Sequence, residues 1–256
     1  MIVYLAGIWP WRENGIYDEE LKKRESDGLI NAAILESFCY VDDWSKWAIP
    51  RLSNYMLDSG AFTFMRNSHS APDWDEYLDS YIDFINKNDV KLFFELDIDS
   101  VVGYDCVLRF RKRLEEGTGK KSIPVWHFPR GKDEFLRMCE EYEYVAIGGL
   151  VPGNKEYSSK YWKYFPWYIK TAHEHNARIH ALGFTNLNAL KKYHFDSVDS
   201  SSWTAGSRFG TVYKFDGQTI RAYQKKQGQR VEAIRELAVS NFGEWLKFQQ
   251  YAKLHL

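Results

Sequence analysis

The chain has 256 residues, the size of one large domain, and α/β barrels commonly reach about 250 residues as a single unit. Hydrophobic residues make up 45% of it and aromatic residues 17%, which excludes an intrinsically disordered protein. The formal net charge of −1 excludes the overall basic character of a protein that coats nucleic acid. We therefore expect one folded domain over residues 1–256, with any nucleic-acid contact confined to a local basic face.

The cysteines and the first residues bear on the cellular compartment. Cys39, Cys106 and Cys139 lie far apart and form no Cys-x-x-Cys pair, which predicts neither a disulfide framework nor a cysteine-bound zinc. This usage is typical of a reducing compartment, so we expect a cytoplasmic protein. Residues 1–7 are apolar but too short to span a membrane, and no basic residues precede them. We interpret them as a first strand and expect no membrane partner.

Eight short apolar runs recur along the chain, separated by longer helical or loop stretches. They occupy residues 2–6, 30–35, 55–57, 90–96, 123–126, 144–147, 178–182 and 195–198. This alternation predicts an α/β fold with a mainly parallel sheet. Eight runs favour a single (β/α)8 TIM-like barrel, with allowance for irregular strands, over a small open sheet. A C-terminal helix is expected over residues 231–254.

Amphipathic segments lie between the apolar runs. Asp73 precedes a segment whose apolar residues repeat at helical spacing, so we expect it to cap that helix. Asp133 and Asn186 stand in the same position before two further helical patterns. Pro166 lies inside another such pattern and predicts a break there.

Several predicted strands end in polar residues or glycines. In a TIM barrel the catalytic groups lie where the strands end and the following loops begin. The residues at these ends are Asp58-Ser59-Gly60, Asp97 and Asp99, His127, Gly148-Gly149, His180 with Gly183, and the pair Asp196 and Asp199. Because these ends converge at one mouth of a barrel, the sequence predicts a polar pocket at that mouth.

The pentapeptide Asp58-Ser59-Gly60-Ala61-Phe62 combines a carboxylate, small residues and an aromatic ring. Small residues let a flat ligand approach the backbone, and Phe62 is placed to form a wall of the pocket. The alternative interpretation is an Asx-type turn or a helix cap after a strand.

Asp196 and Asp199 are three residues apart, so in an extended strand they point to opposite faces. Only one of them can face the pocket. Small hydroxyl residues and then Trp203 follow, a pattern that suits a carboxylate approached by a sugar. The alternative is a capped loop start.

Glu95, Asp97 and Asp99 alternate along one predicted strand and would share one face of it. Three acids on one face are costly unless that face is wet or binds a ligand, so they indicate a polar cavity. Clustered carboxylates also suit Mg²⁺ or Mn²⁺, which is the competing interpretation. Since the acids have another use and the chain has no cysteine cluster, we expect no metal.

Glycines and histidines complete the predicted pocket. Gly148-Gly149 offers backbone N–H and C=O groups that can read the edge of a base, although a plain glycine turn has the same pattern. His127 and His180 each lie near a strand end, where a histidine either contacts a ligand or is a structural residue.

The segment 207–230 is basic within an otherwise neutral chain. It carries six basic residues against the single acid Asp216 and is interleaved with aromatic residues. The basic residues are Arg208, Lys214, Arg221, Lys225, Lys226 and Arg230. This pattern fits contact with a phosphate backbone and bases, and the alternative is a solvated surface hairpin.

Taken in order, these motifs resemble those of the tRNA-guanine transglycosylase superfamily, which includes phage and bacterial members that act on guanine in DNA. Asp58-Ser59-Gly60-Ala61-Phe62 is similar to the family's Asp-Ser-Gly-Gly-Phe, and Gly148-Gly149-Leu150 to its Gly-Gly-Leu. His180-Ala181-Leu182-Gly183 is similar to a later strand that ends in glycine. Residues 195–200 resemble the segment that carries the nucleophilic aspartate.

The resemblance covers roughly residues 55–205 and departs from the family pattern in three places. Ala61 stands for a glycine and Thr63 for a glutamine. The family's C-terminal Cys-x-Cys-x-x-Cys…His zinc site is missing, and the chain is shorter than the tRNA enzymes. The missing zinc subdomain favours DNA over tRNA as the nucleic acid.

The resemblance implies a pentosyltransferase that exchanges a base without ATP, metal or another cofactor. The family has two acids three residues apart with the second as nucleophile, which assigns attack on C1′ of guanosine or deoxyguanosine to Asp199 over Asp196. A 7-deazaguanine such as preQ0 or preQ1 then enters, loses its N9 proton to Asp58 and attacks C1′. Because the target base has to leave its stack, the enzyme flips it or acts on unpaired nucleic acid.

The resemblance also implies the remaining contacts and the setting. Asp97 or Asp99 would recognise the base, and Gly148-Gly149 would present backbone groups to it. The other expected substrate contacts are Ser59, Gly60, Phe62, His127, His180 and Gly183. The basic segment 207–230 would hold the strand, in the cytoplasm of a bacterium or of a phage-infected host.

Two other functions fit the same residues. A glycosidase-like barrel hydrolase would use two of these carboxylates on a sugar without any nucleobase. A catalytically inactive barrel would bind nucleic acid and exchange nothing.

Overall fold

Strands and helices alternate along the chain in the computed structural model, which describes residues 1–8, 15–66, 72–150, 162–184, 186–226 and 232–256. Residues 62, 65, 66, 207 and 208 are described by their backbone alone. The strands are β1 (Ile2–Ala6), β2 (Glu25–Ser26), β3 (Leu29–Ser37), β4 (Leu52–Asp58), β5 (Val125–Trp126), β6 (Tyr144–Ile147), β7 (Arg178–Ala181), β8 (Ser197–Ser200), β9 (Val212–Phe215) and β10 (Ile220–Tyr223). The helices are α1 (Asp18–Lys22), α2 (Asp43–Ala48), α3 (Ala61–Arg66), α4 (Trp74–Lys87), α5 (Asp99–Val102), α6 (Tyr104–Thr118), α7 (Gly131–Glu141), α8 (Phe165–Glu174), α9 (Leu187–Leu190), α10 (Ala205–Phe209) and α11 (Ile234–His255).

Eight strand positions close into a ring. β1 pairs in parallel with β3 on one side and β8 on the other, β3 also pairs with β4, and β5 to β8 pair in sequence. Between β4 and β5, parallel bridges from Leu57 to Phe93 and from Phe94 to Ile123 fill the fourth position. The fold is therefore a (β/α)8 TIM-like barrel with an irregular fourth strand, as the eight apolar runs predict. β2 pairs with β3 as a short antiparallel edge.

The two faces of the barrel wall carry different side chains. Inside the ring, Tyr4, Met56, Phe94 and Tyr144 belong to one apolar cluster that fills the barrel. The alternate residues, such as Val198 in β8, pack outward in a second, larger cluster between the strands and the helices. Because successive strand residues alternate between these layers, each strand delivers every second side chain to the interior.

Most predicted helix ends agree with the structure. Asp73 caps α4 by accepting hydrogen bonds from two backbone N–H groups of its first turn, and Asn186 caps the short helix α9. The cap predicted for Asp133 is wrong, because α7 begins two residues earlier and Asp133 lies in its first turn. Pro166 lies in the first turn of α8, directly after a 3₁₀ turn over Trp162–Tyr164, so the helical pattern is interrupted at the proline and a new helix begins there.

The C-terminal helix α11 packs between the barrel and the β9–β10 hairpin. The Asn241 side chain accepts a 2.8 Å hydrogen bond from the backbone N–H of Tyr213, and the Glu244 carboxylate accepts a 2.7 Å bond from that of Phe215. These bonds fix the hairpin to the outer face of the helix. None of the helices in the described ranges has the length and apolarity needed to span a membrane.

Gln249 of α11 completes the sheet where β1 and β3 separate. These two strands are paired only at Leu5 and Ala6. The Gln249 side chain accepts a 2.9 Å hydrogen bond from the N–H of Ala33 and donates bonds of 2.6 and 2.8 Å to the carbonyls of Val3 and Ala33. A buried side-chain amide thus replaces part of a strand ladder.

Replacing Gln249 with methionine is expected to destabilise the protein by about 2–4 kcal/mol, because it leaves a buried N–H and two carbonyls without partners. Denaturant unfolding followed by circular dichroism measures this change in the free energy of unfolding. The matched control is Gln250→Met on the same helix, at a partly exposed position, which should change that free energy by less than about 0.5 kcal/mol. Equal effects of the two variants would contradict a structural role for the Gln249 amide.

Candidate functional site

Acidic side chains from separate strands meet at the carboxyl-terminal mouth of the barrel. Asp58 is the last residue of β4, Asp97 follows the irregular fourth strand, and Asp199 lies in β8. The charges of Asp199 and Asp97 both act on Asp58, which places these two carboxylates within electrostatic reach of Asp58. The structure therefore brings together three of the acids predicted for the pocket.

Asp58 sits in an environment that favours its neutral form. Burial raises its pKa to about 6, and the negative charges of Asp199 and Asp97 add to this rise. A 3.0 Å hydrogen bond from the N–H of Gly60 to Oδ2 works in the opposite direction. A carboxyl group with a pKa near 6 can both give up and take back a proton close to neutral pH.

The backbone around Asp58 is held by Gly60 and by two residues that no sequence motif indicated, Cys39 and Tyr77. Gly60 has a φ of +76°, and a Cβ placed there would lie 2.4 Å from the Cys39 sulfur, so only glycine fits. Tyr77 of α4 donates a 2.5 Å hydrogen bond to the carbonyl of Ser59. The predicted small residues therefore fix the loop that positions Asp58, and Ser59 is buried beneath it. Phe62 lies in α3, and its side chain is outside the described part of the molecule.

Asp199 contacts a backbone N–H and a buried histidine. Its Oδ1 accepts a 2.6 Å hydrogen bond from the N–H of Gly183 and lies 3.2 Å from Nε2 of His180. His180 is fully buried inside the barrel, and its Nδ1 lies 2.5 Å from the hydroxyl oxygen of Ser197. That hydroxyl also lies 2.5 Å from the hydroxyl of Tyr144. The Gly183 N–H and the imidazole therefore contact the same oxygen of Asp199.

Asp97 and His127 form the opposite side of the mouth. Nε2 of His127 lies 2.6 Å from Oδ1 of Asp97. Burial lowers the pKa of His127, but the hydrogen bond and the charge of Asp97 outweigh it and raise that pKa above its ordinary value. A Cβ on Gly148 would lie 2.5 Å from Cε1 of His127, so the absence of a side chain at 148 is what allows the ring to lie there. Gly149 has a φ of +75° beside the same ring.

The Arg130 guanidinium supplies a positive charge to the carboxylates of Asp99 and Asp97. It donates to Asp99 at 2.7 and 3.2 Å, lies 3.9 Å from Asp97, and its guanidinium stacks 4.1 Å from the centroid of the Tyr104 ring. Although burial raises the pKa of Asp99, the Arg130 contacts hold it below its ordinary value. Asp99 begins α5 and serves as an ion-pair partner, so among the described contacts Asp97 is the acid that stays beside Asp58.

The prediction that Glu95, Asp97 and Asp99 share one solvated face of a strand is wrong. Glu95 is completely buried in an ion pair with Arg111 of α6, at 2.5 Å, and also accepts a hydrogen bond from the N–H of Val125. The residues after it leave the strand geometry, so alternation along one strand does not apply. The sequence signal that could have indicated this is the basic residue on the following helix.

One group of side chains has the composition of a metal site. The ligand atoms of Asp97, Asp99 and His127 lie within 4.8 Å of one another. The Arg130 guanidinium already supplies the positive charge to both carboxylates, and Asp97 occupies Nε2 of the histidine. The Arg130 guanidinium therefore takes the place that a metal ion would have beside these carboxylates, and the mechanism below uses no metal.

Asp196 lies at the other end of the barrel. Its backbone carbonyl accepts a hydrogen bond from the N–H of Ile2, the first residue of β1. Its carboxylate accepts a 2.8 Å bond from the N–H of Ile179 and lies 3.0 Å from His173 of α8. The structure thus separates the two candidate nucleophiles and leaves Asp196 out of the cluster at the mouth.

The basic segment forms the β9–β10 hairpin and the residues after it. Lys214, Arg221, Lys225 and Lys226 are exposed, and Arg221 forms a 2.6 Å ion pair with Asp216. The side chain of Arg208 and residues 227–231 lie outside the described part of the chain. The hairpin predicted as the alternative is therefore present, and its strands lie along α11.

No protein-family model matches this chain, and no curated protein matches it in sequence. Among solved structures it is similar to the carboxyl transferase domain of pyruvate carboxylase from Rhizobium etli, solved with pyruvate, at 13% identity and a TM-score of 0.47. The match covers 99% of this chain and 47% of that one, so the chain spans about half the length of the structure that it resembles. A likeness this distant gives no information on the reaction.

Proposed function

We propose that the chain is an enzyme that exchanges a nucleobase at C1′ of guanosine or deoxyguanosine in nucleic acid, through a covalent bond between C1′ and Asp199. One observation carries this proposal. Asp58 and Asp199 face the same mouth; burial raises the pKa of Asp58 to about 6, which suits it to carry a proton, and Asp199 is held by the Gly183 N–H beside His180, which suits it to act as nucleophile. Reactions at a sugar C1′ that use two carboxylates require this division into a nucleophile and a proton carrier.

The proposed exchange balances without any further reagent. An oxygen of Asp199 attacks C1′, the bond from C1′ to N9 of guanine breaks, and protonated Asp58 delivers its proton to N9. An incoming 7-deazaguanine then gives its N9 proton to Asp58 and attacks C1′, and the bond from C1′ to Asp199 breaks. Asp58 ends protonated and Asp199 ends ionised, as at the start.

The other side of the mouth suits a flat base. His127, Asp97 and the bare backbone at Gly148 and Gly149 lie together, and the bulk of a side chain at 148 is excluded by the His127 ring. Such a surface presents a carboxylate, an imidazole and peptide groups, which are the donors and acceptors that read the edge of guanine. We propose Asp97 as the acid that reads the base, because Asp99 is held by Arg130.

Transfer of labelled guanine tests the proposal directly. The protein is incubated with radiolabelled guanine and either DNA or unmodified tRNA, and the label retained in the polymer is counted. Label in DNA supports the proposed function with DNA as substrate, and label in tRNA alone would reverse the preference expected from the sequence. Release of guanine with no incorporation would identify a hydrolase, and binding without either product would identify an inactive binder.

Replacing both Lys225 and Lys226 with alanine is expected to weaken nucleic-acid binding about equally for all sequences, because phosphate contacts position the strand without selecting the base. The slope of log K against log salt should fall by up to about 1.8 on duplex DNA or about 1.4 on single strands, the counterions of two phosphates. The exchange rate at saturating nucleic acid should change little. Fluorescence anisotropy across a salt series measures the slope.

Lys191→Ala with Lys192→Ala is the matched control for this variant. It removes the same two charges from another exposed lysine pair, in the turn between α9 and β8. That turn leads into the amino end of β8, away from the mouth. If both double variants flatten the slope equally, the effect comes from net charge, and the hairpin has no special role in holding the strand.

A further inference from the structure

The interior of the barrel contains a linear chain of polar contacts that ends on the proposed nucleophile. It runs from the hydroxyl of Tyr144 in β6 to that of Ser197 in β8, then to Nδ1 of His180 in β7, and from Nε2 of His180 to Oδ1 of Asp199. Tyr144 is 6% exposed, and Ser197 and His180 are not exposed at all. The rings of Tyr4 and Phe94 pack on the imidazole, and the Arg178 guanidinium stacks 4.2 Å from the centroid of the Tyr144 ring.

The number of donor hydrogens available determines which atom donates in each of these hydrogen bonds. An ionised carboxylate only accepts, so Nε2 of His180 has to carry the hydrogen that faces Asp199. If the imidazole is neutral, Nδ1 accepts from the Ser197 hydroxyl, and the Ser197 oxygen accepts from the Tyr144 hydroxyl. Every hydrogen then has an acceptor. If the imidazole were charged, Nδ1 would donate to the Ser197 oxygen, and the hydroxyl hydrogen of either Ser197 or Tyr144 would have no acceptor among the described contacts.

The same contacts distinguish the two oxygens of Asp199. Oδ1 receives the His180 contact and the Gly183 N–H, whereas Oδ2 has no hydrogen-bond donor in the described part of the chain. Donors on an oxygen stabilise its negative charge and lower its nucleophilicity. The oxygen without donors is therefore the better placed to form a bond to carbon.

We propose that His180 is a positioning residue that presents Oδ2 of Asp199 to C1′, and that the Ser197 hydroxyl fixes its neutral, Nε2-protonated tautomer. This inference rests on the proposed function for its final step. His180 does not touch the substrate. It acts by holding the carboxylate in one orientation, as the orienting member of a catalytic pair does in other enzymes.

The first experiment measures formation of the covalent enzyme–nucleic acid adduct in a single turnover, on a denaturing gel. His180→Phe is expected to slow it by about 10- to 100-fold, the effect of losing a hydrogen bond to a charged group, with the affinity for guanine within about 3-fold of wild type. His180→Gln keeps an N–H donor in reach of Oδ1 and should recover most of the rate. His173→Phe is the matched control, because it breaks the similar contact with Asp196 away from the mouth and should leave the rate unchanged.

The second experiment observes the tautomer in the ligand-free protein. Long-range ¹⁵N–¹H spectra distinguish a neutral imidazole protonated at Nε2 from one protonated at Nδ1 and from an imidazolium. We expect the first form for His180 at pH 7, unchanged in Tyr144→Phe and altered in Ser197→Ala. An imidazolium in the wild-type protein, or a changed His180 spectrum in Tyr144→Phe, would show that the chain runs in the other direction.

The outcomes separate this inference from the proposed function. A wild-type protein that forms no adduct with DNA or tRNA overturns the proposed function and the final step together, and the spectra still decide the tautomer. An adduct that forms at the wild-type rate in His180→Phe overturns the positioning role while the proposed function stands.

Discussion

Asp199→Asn is expected to abolish both the covalent adduct and base exchange, lowering the rate by at least about 10⁴-fold, the scale on which removal of a nucleophile acts in covalent enzymes. The amide keeps an oxygen for the Gly183 N–H, so the site should retain its geometry. It cannot form a glycosyl ester that turns over. Mass spectrometry of the protein after incubation with nucleic acid detects the adduct, and label transfer measures exchange.

Asp196→Asn is the control for this variant. The same change of charge is made three residues earlier on the same chain, at the amino end of the barrel. It should leave adduct formation within about 3-fold of wild type, as expected for a residue that makes no contact with the reacting atoms. An inactive Asp196→Asn beside an active Asp199→Asn would mean that the nucleophile is assigned to the wrong end of β8.

Asp58→Asn is expected to lose exchange and to gain stability above pH 6. Burial and two neighbouring carboxylates raise the pKa of Asp58 from 3.8 to about 6, so the folded protein binds this proton more tightly than the unfolded chain. The resulting stabilisation is present at low pH and is lost as the pH rises from about 4 through about 6. At pH 8 the ionised carboxylate costs about 1–3 kcal/mol, which the neutral amide avoids.

Chemical unfolding of Asp58→Asn and wild type at pH 4, 6 and 8 measures this difference. The two proteins should have nearly equal free energies of unfolding at pH 4, and the variant should be the more stable at pH 8. A variant that is less stable at every pH would mean that the carboxylate is held by favourable contacts and is not strained by burial.

The same raised pKa predicts opposite pH profiles for the two half-reactions. Adduct formation needs protonated Asp58, so its rate should fall as the pH rises through about 6. Reaction of the adduct with a new base needs ionised Asp58, so its rate should rise over the same range. Single-turnover measurements resolve the two steps. If neither rate depends on pH between 5 and 8, Asp58 does not carry the proton.

The sequence predicted the barrel because period and composition are local properties. The runs at 2–6 and 144–147 coincide with β1 and β6, and the run at 195–198 overlaps β8. It could not predict that the fourth strand forms only through single bridges at Phe93 and Phe94. Those bridges and the buried ion pair of Glu95 with Arg111 that follows them are contacts between segments distant in the sequence.

The position of a site residue was predictable where it followed from the alternation of side chains between the two faces of a strand. Asp196 and Asp199 were expected on opposite faces of one strand, and the structure places them apart. Ser197 and Tyr144 gave no signal, because a serine and a tyrosine in apolar runs have the composition of ordinary core residues. Arg130 was also missed, since nothing in its local sequence shows that it folds back on two acids about thirty residues earlier.

The bridge made by Gln249 has a consequence for the order in which the molecule assembles. It joins positions separated by 246 and 216 residues along the chain, Val3 and Ala33 on one side and α11 on the other. Contacts between such distant segments carry a large loop-closure entropy and form late. During synthesis β1 and β3 leave the ribosome early but cannot be joined along their first halves until α11 has emerged. A ribosome stalled before α11 should therefore hold a barrel with an open seam, which pulse proteolysis would detect as cleavage near residues 29–33.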